Sequence, residues 1–172
     1  MALRTVLVAP DPRLKAKSKP VARVDKALRG LMDDMLEIMY AAKGVGLAAV
    51  QIGVAKRVIV MDLAKEGEEP APHFFVNPEI LWRSEERARC EEGCLSVPDF
   101  YEEVERPARI RARYLDYDGA TREIEADGIL ALCLQHEMDH LEGILFIDHI
   151  SKLKRDMILR KLVKARRQEI SA

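Results

Sequence analysis

Apolar residues between positions 28 and 39 recur at helical spacing. Leu28, Leu31, Met32, Met35, Leu36 and Met39 alternate with Lys26, Arg29, Asp33, Asp34 and Glu37, which predicts an amphipathic helix of about four turns from near Asp25. Gly30 weakens that helix by about 1 kcal/mol relative to Ala. Its methionine-rich stripe reads as core. Residues 57–63 (RVIVMDL) then read as a mostly buried strand and residues 65–72 as a polar loop. Residues 74–76 look like a short strand ending in an Asn77-Pro78 turn, with a second candidate at 79–83. Ile110, Ala112 and Tyr114 alternate with Arg111 and Arg113, and Asp118-Gly119 leads into residues 121–125, which is a hairpin signal. Helical periodicity returns after Asp127, placed as N-cap. Ile129, Leu130, Leu132, Cys133 and Leu134 cover most of the first two turns, and Gly143 suits the C′ position. A helix apolar on nearly all sides is a buried one. Beyond it Ile150, Leu153, Met157, Ile158 and Leu162 keep helical spacing among Lys152, Lys154, Arg155, Arg160, Lys161, Lys164, Arg166 and Arg167. The first 23 residues, with Pro10, Pro12 and Pro20, resist regular structure and read as an extended surface segment.

The element order implies an α+β fold: mixed or antiparallel sheets around a central buried helix, with an N-terminal and a C-terminal helix. At 172 residues the chain suits one domain, 1–172, within which 150–169 forms the basic amphipathic helix. Lys+Arg (28) and Asp+Glu (29) nearly cancel, which excludes a global attraction to DNA or an anionic membrane. The apolar runs fall far short of the roughly 18 residues of a membrane span. The N-terminus lacks a charged region followed by a long apolar stretch, so the expected compartment is the cytoplasm, or an organelle after loss of a targeting sequence. Three cysteines, Cys90, Cys94 and Cys133, suit reduced thiols or metal ligation rather than a disulfide framework.

Within the buried helix lies His136-Glu137-Met138-Asp139-His140. On a helix the two imidazoles share a face and reach one metal, while Glu137, turned by about 100°, faces a metal-bound water. A catalytic metal of this kind takes three protein ligands, so a third is required. An H-x-x-G-x-x-H continuation fails because Phe146 occupies the ligand position. Downstream acids (Asp148, Asp156, Glu169) and His149 are poorly placed. Upstream, Cys94 in Glu92-Gly93-Cys94-Leu95-Ser96 is the better candidate, with Cys90 and Cys133 as competitors. Residues 44–53 (GVGLAAVQIG) fit a tight helix-to-strand connection, a phosphate loop, or a backbone that approaches substrate with Gln51 as an amide donor. A phosphate loop lacks its Lys-Ser/Thr.

Residues 44–51, 92–96 and 135–143 together resemble the three signature motifs of the peptide deformylases, in order and with similar spacing. The resemblance spans nearly the whole chain, including Val97-Pro98 and the basic C-terminal helix of the bacterial type. It implies that Cys94, His136 and His140 bind a divalent metal, Fe(II) in the cell with Ni, Co or Zn also accepted. It also implies that metal-bound water attacks the formyl carbon of an N-terminal formylmethionine, with Glu137 as general base, releasing formate. Gln51 and the Leu95 backbone N–H would then stabilise the oxyanion. Val45, Gly46, Ile129, Leu132, Cys133 and the His136 ring would form the methionine pocket, with Gly46 and the Glu92 segment along the peptide backbone. Tyr101 stands where many bacterial members carry an Arg near the peptide carbonyl. The implied partners are formylated nascent peptides and, through the basic helix, the ribosome. A metallopeptidase, a closed structural metal module and an RNA-binding protein are the competing readings; the first lacks a downstream ligand.

Overall fold

The computed structural model describes residues 4–171. Helix α1 (Lys26–Ala41) starts where Asp25 accepts the Leu28 N–H at 2.9 Å. It turns Leu28, Met32, Met35 and Met39 inward, as the periodicity predicts. Five strands form one sheet in the order β1 (Gly46–Ala48), β2 (Val58–Asp62), β3 (Pro72–Arg83), β6 (Ile110–Leu115), β7 (Thr121–Ala126). A separate hairpin pairs β4 (Arg87–Cys94) with β5 (Val97–Pro107). Every pairing between these seven strands is antiparallel, and an isolated Lys19–Lys56 bridge is parallel. The expected α+β architecture is what the chain adopts.

The alternation in β2 sets the layers. Val58 and Val60 face the methionines of α1, whereas Ile59 and Met61 face the other way. There they meet Ala131, Leu134, Met138 and Leu141 of helix α2 (Gly128–Leu141). A third cluster joins Val97 and Val104 of the hairpin to Phe146, Ile147, and Ile158 and Leu162 of helix α3 (Lys152–Ser171). Helix α2 is thus clasped between sheet and hairpin. Gly143 ends its extension at φ 75°, with the Gly143 N–H on the His140 carbonyl (3.1 Å) and the Ile144 N–H on that of Asp139 (3.0 Å). A Cβ at Gly143 would also strike the Lys15 backbone.

Four expectations need correction. The two strands around Asn77-Pro78 are one strand, β3, with an irregularity there in its pairing to β6. Asn77 adopts φ 50° and bridges the Val21 N–H and C=O at 2.9 and 2.8 Å, so a side-chain amide replaces a missing strand partner. Asp127 is the N-cap of α2, but its side chain makes no capping hydrogen bond. Helix α2 is not buried all round, since Ile129 is 54% exposed. Finally, the N-terminal segment is no mere surface strand: Ala9, Leu14 and Ser18 are buried. Its Leu7, Ala9 and Ser18 N–H groups donate to the carbonyls of Gln51 (2.7 Å), Ser96 (2.8 Å) and Leu141 (2.8 Å). This strap ties together the three segments that carry the candidate chemistry.

Candidate active site

Helix α2 places His136 and His140 one turn apart, with ring centroids 5.1 Å from each other. Cys94 closes β4 just before Leu95 and Ser96 turn the chain into β5. Its Sγ lies 3.5 Å from His140 Nε2, and the ligand atoms of Cys94, His136 and His140 all fall within 4.8 Å of one another. Cys90 and Cys133, the competing thiols, line the adjoining cavity without joining this cluster. Burial pushes the Cys133 thiol up to about 12, with the charge of Glu137 adding to it, so Cys133 stays a neutral wall.

Glu92 fixes the tautomer of His136. Its Oε1 lies 2.8 Å from His136 Nδ1, and because a carboxylate only accepts, the proton sits on Nδ1 and the Nε2 lone pair is left for the cluster. Arg106 forks onto Glu92 through Nε (2.7 Å) and Nη2 (2.9 Å), then reaches Asp139 through Nη1 (2.8 Å). Burial works to raise the Glu92 pKa, but the hydrogen bonds from Arg106 and His136 win and hold it at about 2. The carboxylate expected along the peptide backbone is therefore committed to Arg106 and His136. Sequence reasoning missed Arg106 and Asp139. The signal was the chain's own exception, charged residues at inward positions of a strand and a buried helix.

Glu137 is enclosed but unattached. Its Oε2 is 3.7 Å from His136 Nε2, and its buried Oε1, 4.0 Å from His140 Nε2, has no hydrogen-bond partner. Burial pushes its carboxyl up to about 7, against the pull of His136. Gly46 makes room for it: a Cβ there would sit 2.6 Å from Oε2. Gln51, 1% exposed, accepts the Ala48 N–H on Oε1 at 2.9 Å. That contact turns its NH2 toward Ser96 Oγ (3.0 Å) and Cys94 Sγ (3.5 Å).

In front of the cluster lies a cavity of about 440 Å³. Val45, Leu95, Ile129, Leu132 and Cys133 supply apolar wall, Gly46 and the Glu92 segment line it, and His136, Glu137 and Cys94 form its chemical end. Tyr101, 64% exposed, lies at its rim with its ring packed on Gly93. The fully buried His140 lies behind the lining, as does Gln51. The donors fit a divalent cation. Burial opposes a proton on His136, but Cys94, Glu137 and Glu92 more than reverse it, whereas burial and the neighbouring His136 hold His140 well below its ordinary value.

Among the described residues no fourth His, Cys, Asp or Glu joins the cluster, and the Glu137 Oε1 beside it has no hydrogen-bond partner. A closed structural site has neither property, so the class defined is a metal-dependent hydrolase. The chain belongs to the polypeptide deformylase family, whose sequence profile matches residues 3–156. It is 65% identical over 164 residues to the peptide deformylase of Phenylobacterium zucineum, covering 95% of this chain and 97% of that one. The peptide deformylase of Brucella suis is 55% identical, covering 99% and 98%. A crystal structure of the Ehrlichia chaffeensis peptide deformylase superimposes with a TM-score of 0.93 at 43% identity, over 98% and 99% of the two chains. A second structure of that enzyme, solved with actinonin, gives 0.91 at 46% identity over 96% and 98%. The protein is accordingly an enzyme, a metal-dependent hydrolase that removes the N-formyl group from nascent polypeptides. No helix among the described residues is long and apolar enough to cross a membrane.

Proposed function

We propose that Glu137, Gln51 and the Leu95 N–H carry out formyl hydrolysis beside a divalent metal held by Cys94, His136 and His140, within one catalytic unit spanning 1–172. The single observation behind this assignment is the convergence of those three ligand atoms with an unattached, buried Glu137 carboxylate at the end of an apolar cavity. When bound, a divalent cation supplies Lewis acidity at the formyl oxygen and makes water a nucleophile near neutral pH. Glu137 takes a proton from the attacking water as the new C–O bond forms. It returns that proton to the amine nitrogen as the C–N bond breaks, releasing formate and a free N-terminus. Negative charge on the former formyl oxygen is met by Gln51 Nε2–H and the Leu95 N–H. The methionine thioether fills the slot of Val45, Ile129, Leu132 and Cys133, where an unbranched side chain suits an irregular apolar wall. Gly46 lets the peptide backbone come close.

Soft thiolate charge from Cys94 is compatible with Fe(II) as the cellular metal, with Ni, Co or Zn entering on purification. The decisive assay is formate release from formyl-Met-Ala-Ser beside the unformylated peptide, with metal content measured after anaerobic purification. No formate from the metallated enzyme would sink the assignment. Gln51→Ala should keep its metal and lose about 10²–10³ in kcat, the usual effect of one oxyanion donor. Loss of metal would instead make Gln51 a structural support of Cys94.

The cytoplasm is the proposed compartment, where α3 docks the enzyme on ribosomal RNA phosphates beside emerging chains. Exposed Lys161, Lys164 and Arg167 lie on α3, whose Ile158 and Leu162 anchor it to the third core cluster. Reversing these three charges should abolish co-sedimentation with ribosomes while leaving tripeptide turnover intact. Unchanged co-sedimentation would refute the docking.

A further inference from the structure

A chain of hydrogen bonds leads from the cavity floor to the surface. His136 Nδ1–H donates to Glu92 (2.8 Å), Glu92 holds the fork of Arg106 (2.7 and 2.9 Å), and Arg106 Nη1 reaches Asp139 Oδ2 at 2.8 Å. His149 Nε2 meets that same oxygen at 2.8 Å. Side-chain exposure is 5–8% at His136, Glu92 and Arg106, then 23% at Asp139 and 36% at His149. The outer end is fixed in place. His149 closes a 3-10 turn, Phe146–His149, whose Phe146 and Ile147 are buried and whose Asp148 accepts the Leu145 N–H at 2.9 Å. Its ring opens on a second cavity of about 400 Å³, lined by Gln135, Met138 and Asp139 of α2 and by Glu142 just past its end.

One buried guanidinium here serves two carboxylates. Arg106 is 4% exposed and divides its donors between Glu92 and Asp139, so any donor lost by one carboxylate becomes a demand on the other's partner. His149 is the second donor to Asp139. We propose that His149 is a positioning residue for His136: by satisfying Asp139 it keeps Arg106 forked on Glu92, and Glu92 then holds the His136 Nε2 toward the ligand cluster. This inference rests on the assignment of His136 as a metal ligand. Without the His149 donor, Asp139 draws Arg106 toward itself, the fork on Glu92 loosens, and the imidazole gains freedom to rotate.

The test uses the full-length, zinc-loaded protein with nitrogen-labelled histidine, read by NMR and by zinc loss to a chelator. His149→Ala should shift the His136 Nδ1–H resonance and speed zinc loss about threefold to tenfold, less than the roughly 10–100-fold attached to a direct partner of a ligand. His149→Gln, whose amide N–H can occupy the place of the imidazole Nε2–H, should restore both. Asp139→Asn, which keeps the shape and removes the charge, should shift the same resonance. An unchanged resonance and zinc off-rate in His149→Ala would overturn the inference, as would a Gln variant as impaired as the Ala variant. Failure of the ligand assignment reads differently: zinc addition to the unaltered protein would then leave the His136 Nε2 signal unmoved.

Discussion

Glu137→Gln is expected to keep its metal, its fold and its substrate affinity while kcat falls by about 10²–10⁴-fold, the span associated with a positioned general base. The substitution preserves the volume that Gly46 leaves open, so nothing is forced against the backbone. It removes the one basic oxygen pair facing both Nε2 atoms, at 3.7 and 4.0 Å. Burial has already raised this carboxyl to about 7, so as a free group it would exchange protons readily near neutral pH. A cation among the ligands pulls it back toward the ionised form, the state a base needs before attack. Formate release, KM and metal content measured on one preparation separate these effects. A variant retaining more than a tenth of the parent kcat would place the base elsewhere.

How much of this was legible in the sequence varies with what each element buries. The two core helices were readable because α1 and α2 bury side chains whose periodicity survives in the chain: Met32, Met35 and Met39 on one, Ala131, Leu134, Met138 and Leu141 on the other. The hairpin β4–β5 was not recognised as strand, and the reason is functional. Its inward positions include Glu92 and Arg106, 8% and 4% exposed, where an alternating pattern demands apolar residues. The same charges that orient His136 erase the strand signal. Asn77-Pro78 misled in the opposite direction, because a turn dipeptide also suits a bulge when a neighbouring segment supplies hydrogen bonds. Local composition cannot report that neighbour.

The site itself divides the same way. The ligand spacing on α2 is a local property and could be read directly, as could the thiol of Cys94 as a candidate. The orientation of Gln51 depends on the Ala48 N–H and Ser96 Oγ, one nearby and one 45 residues away. The tautomer of His136 depends on a carboxylate 44 residues upstream. Such long-range contacts need the fold, and the N-terminal strap shows how it supplies them, since its backbone donors reach Gln51, Ser96 and Leu141 in turn. Three motif segments far apart in the chain are thereby held against one common strand of backbone. Proline-rich composition announced only that this segment would be irregular, not that it would be central.

Cys94→Ala should yield a folded protein without bound metal and without formate release. Structural zinc sites with four ligands bind with about 10–16 kcal/mol at neutral pH, so one ligand is worth roughly 3–4 kcal/mol, or about 10²–10³ in affinity. The loss here should exceed that share, because a metal takes cysteine as thiolate and histidine as neutral imidazole, so Cys94 would be the only anionic ligand of the three. Glu92 is committed to Arg106 and His136, and Asp139 to Arg106 and His149. Glu137, 3.7 and 4.0 Å from the two Nε2 atoms, is the remaining carboxylate, and if drawn into the place of Cys94 it would no longer be free as the base. Cys90→Ala and Cys133→Ala provide the matched controls: both thiols line the cavity outside the ligand cluster, so each variant should bind metal stoichiometrically. Metal analysis after anaerobic purification, before and after dialysis against a chelator, reads the difference directly. A Cys94→Ala protein that retains one metal per chain would move the third ligand to another residue and take the proposed geometry with it.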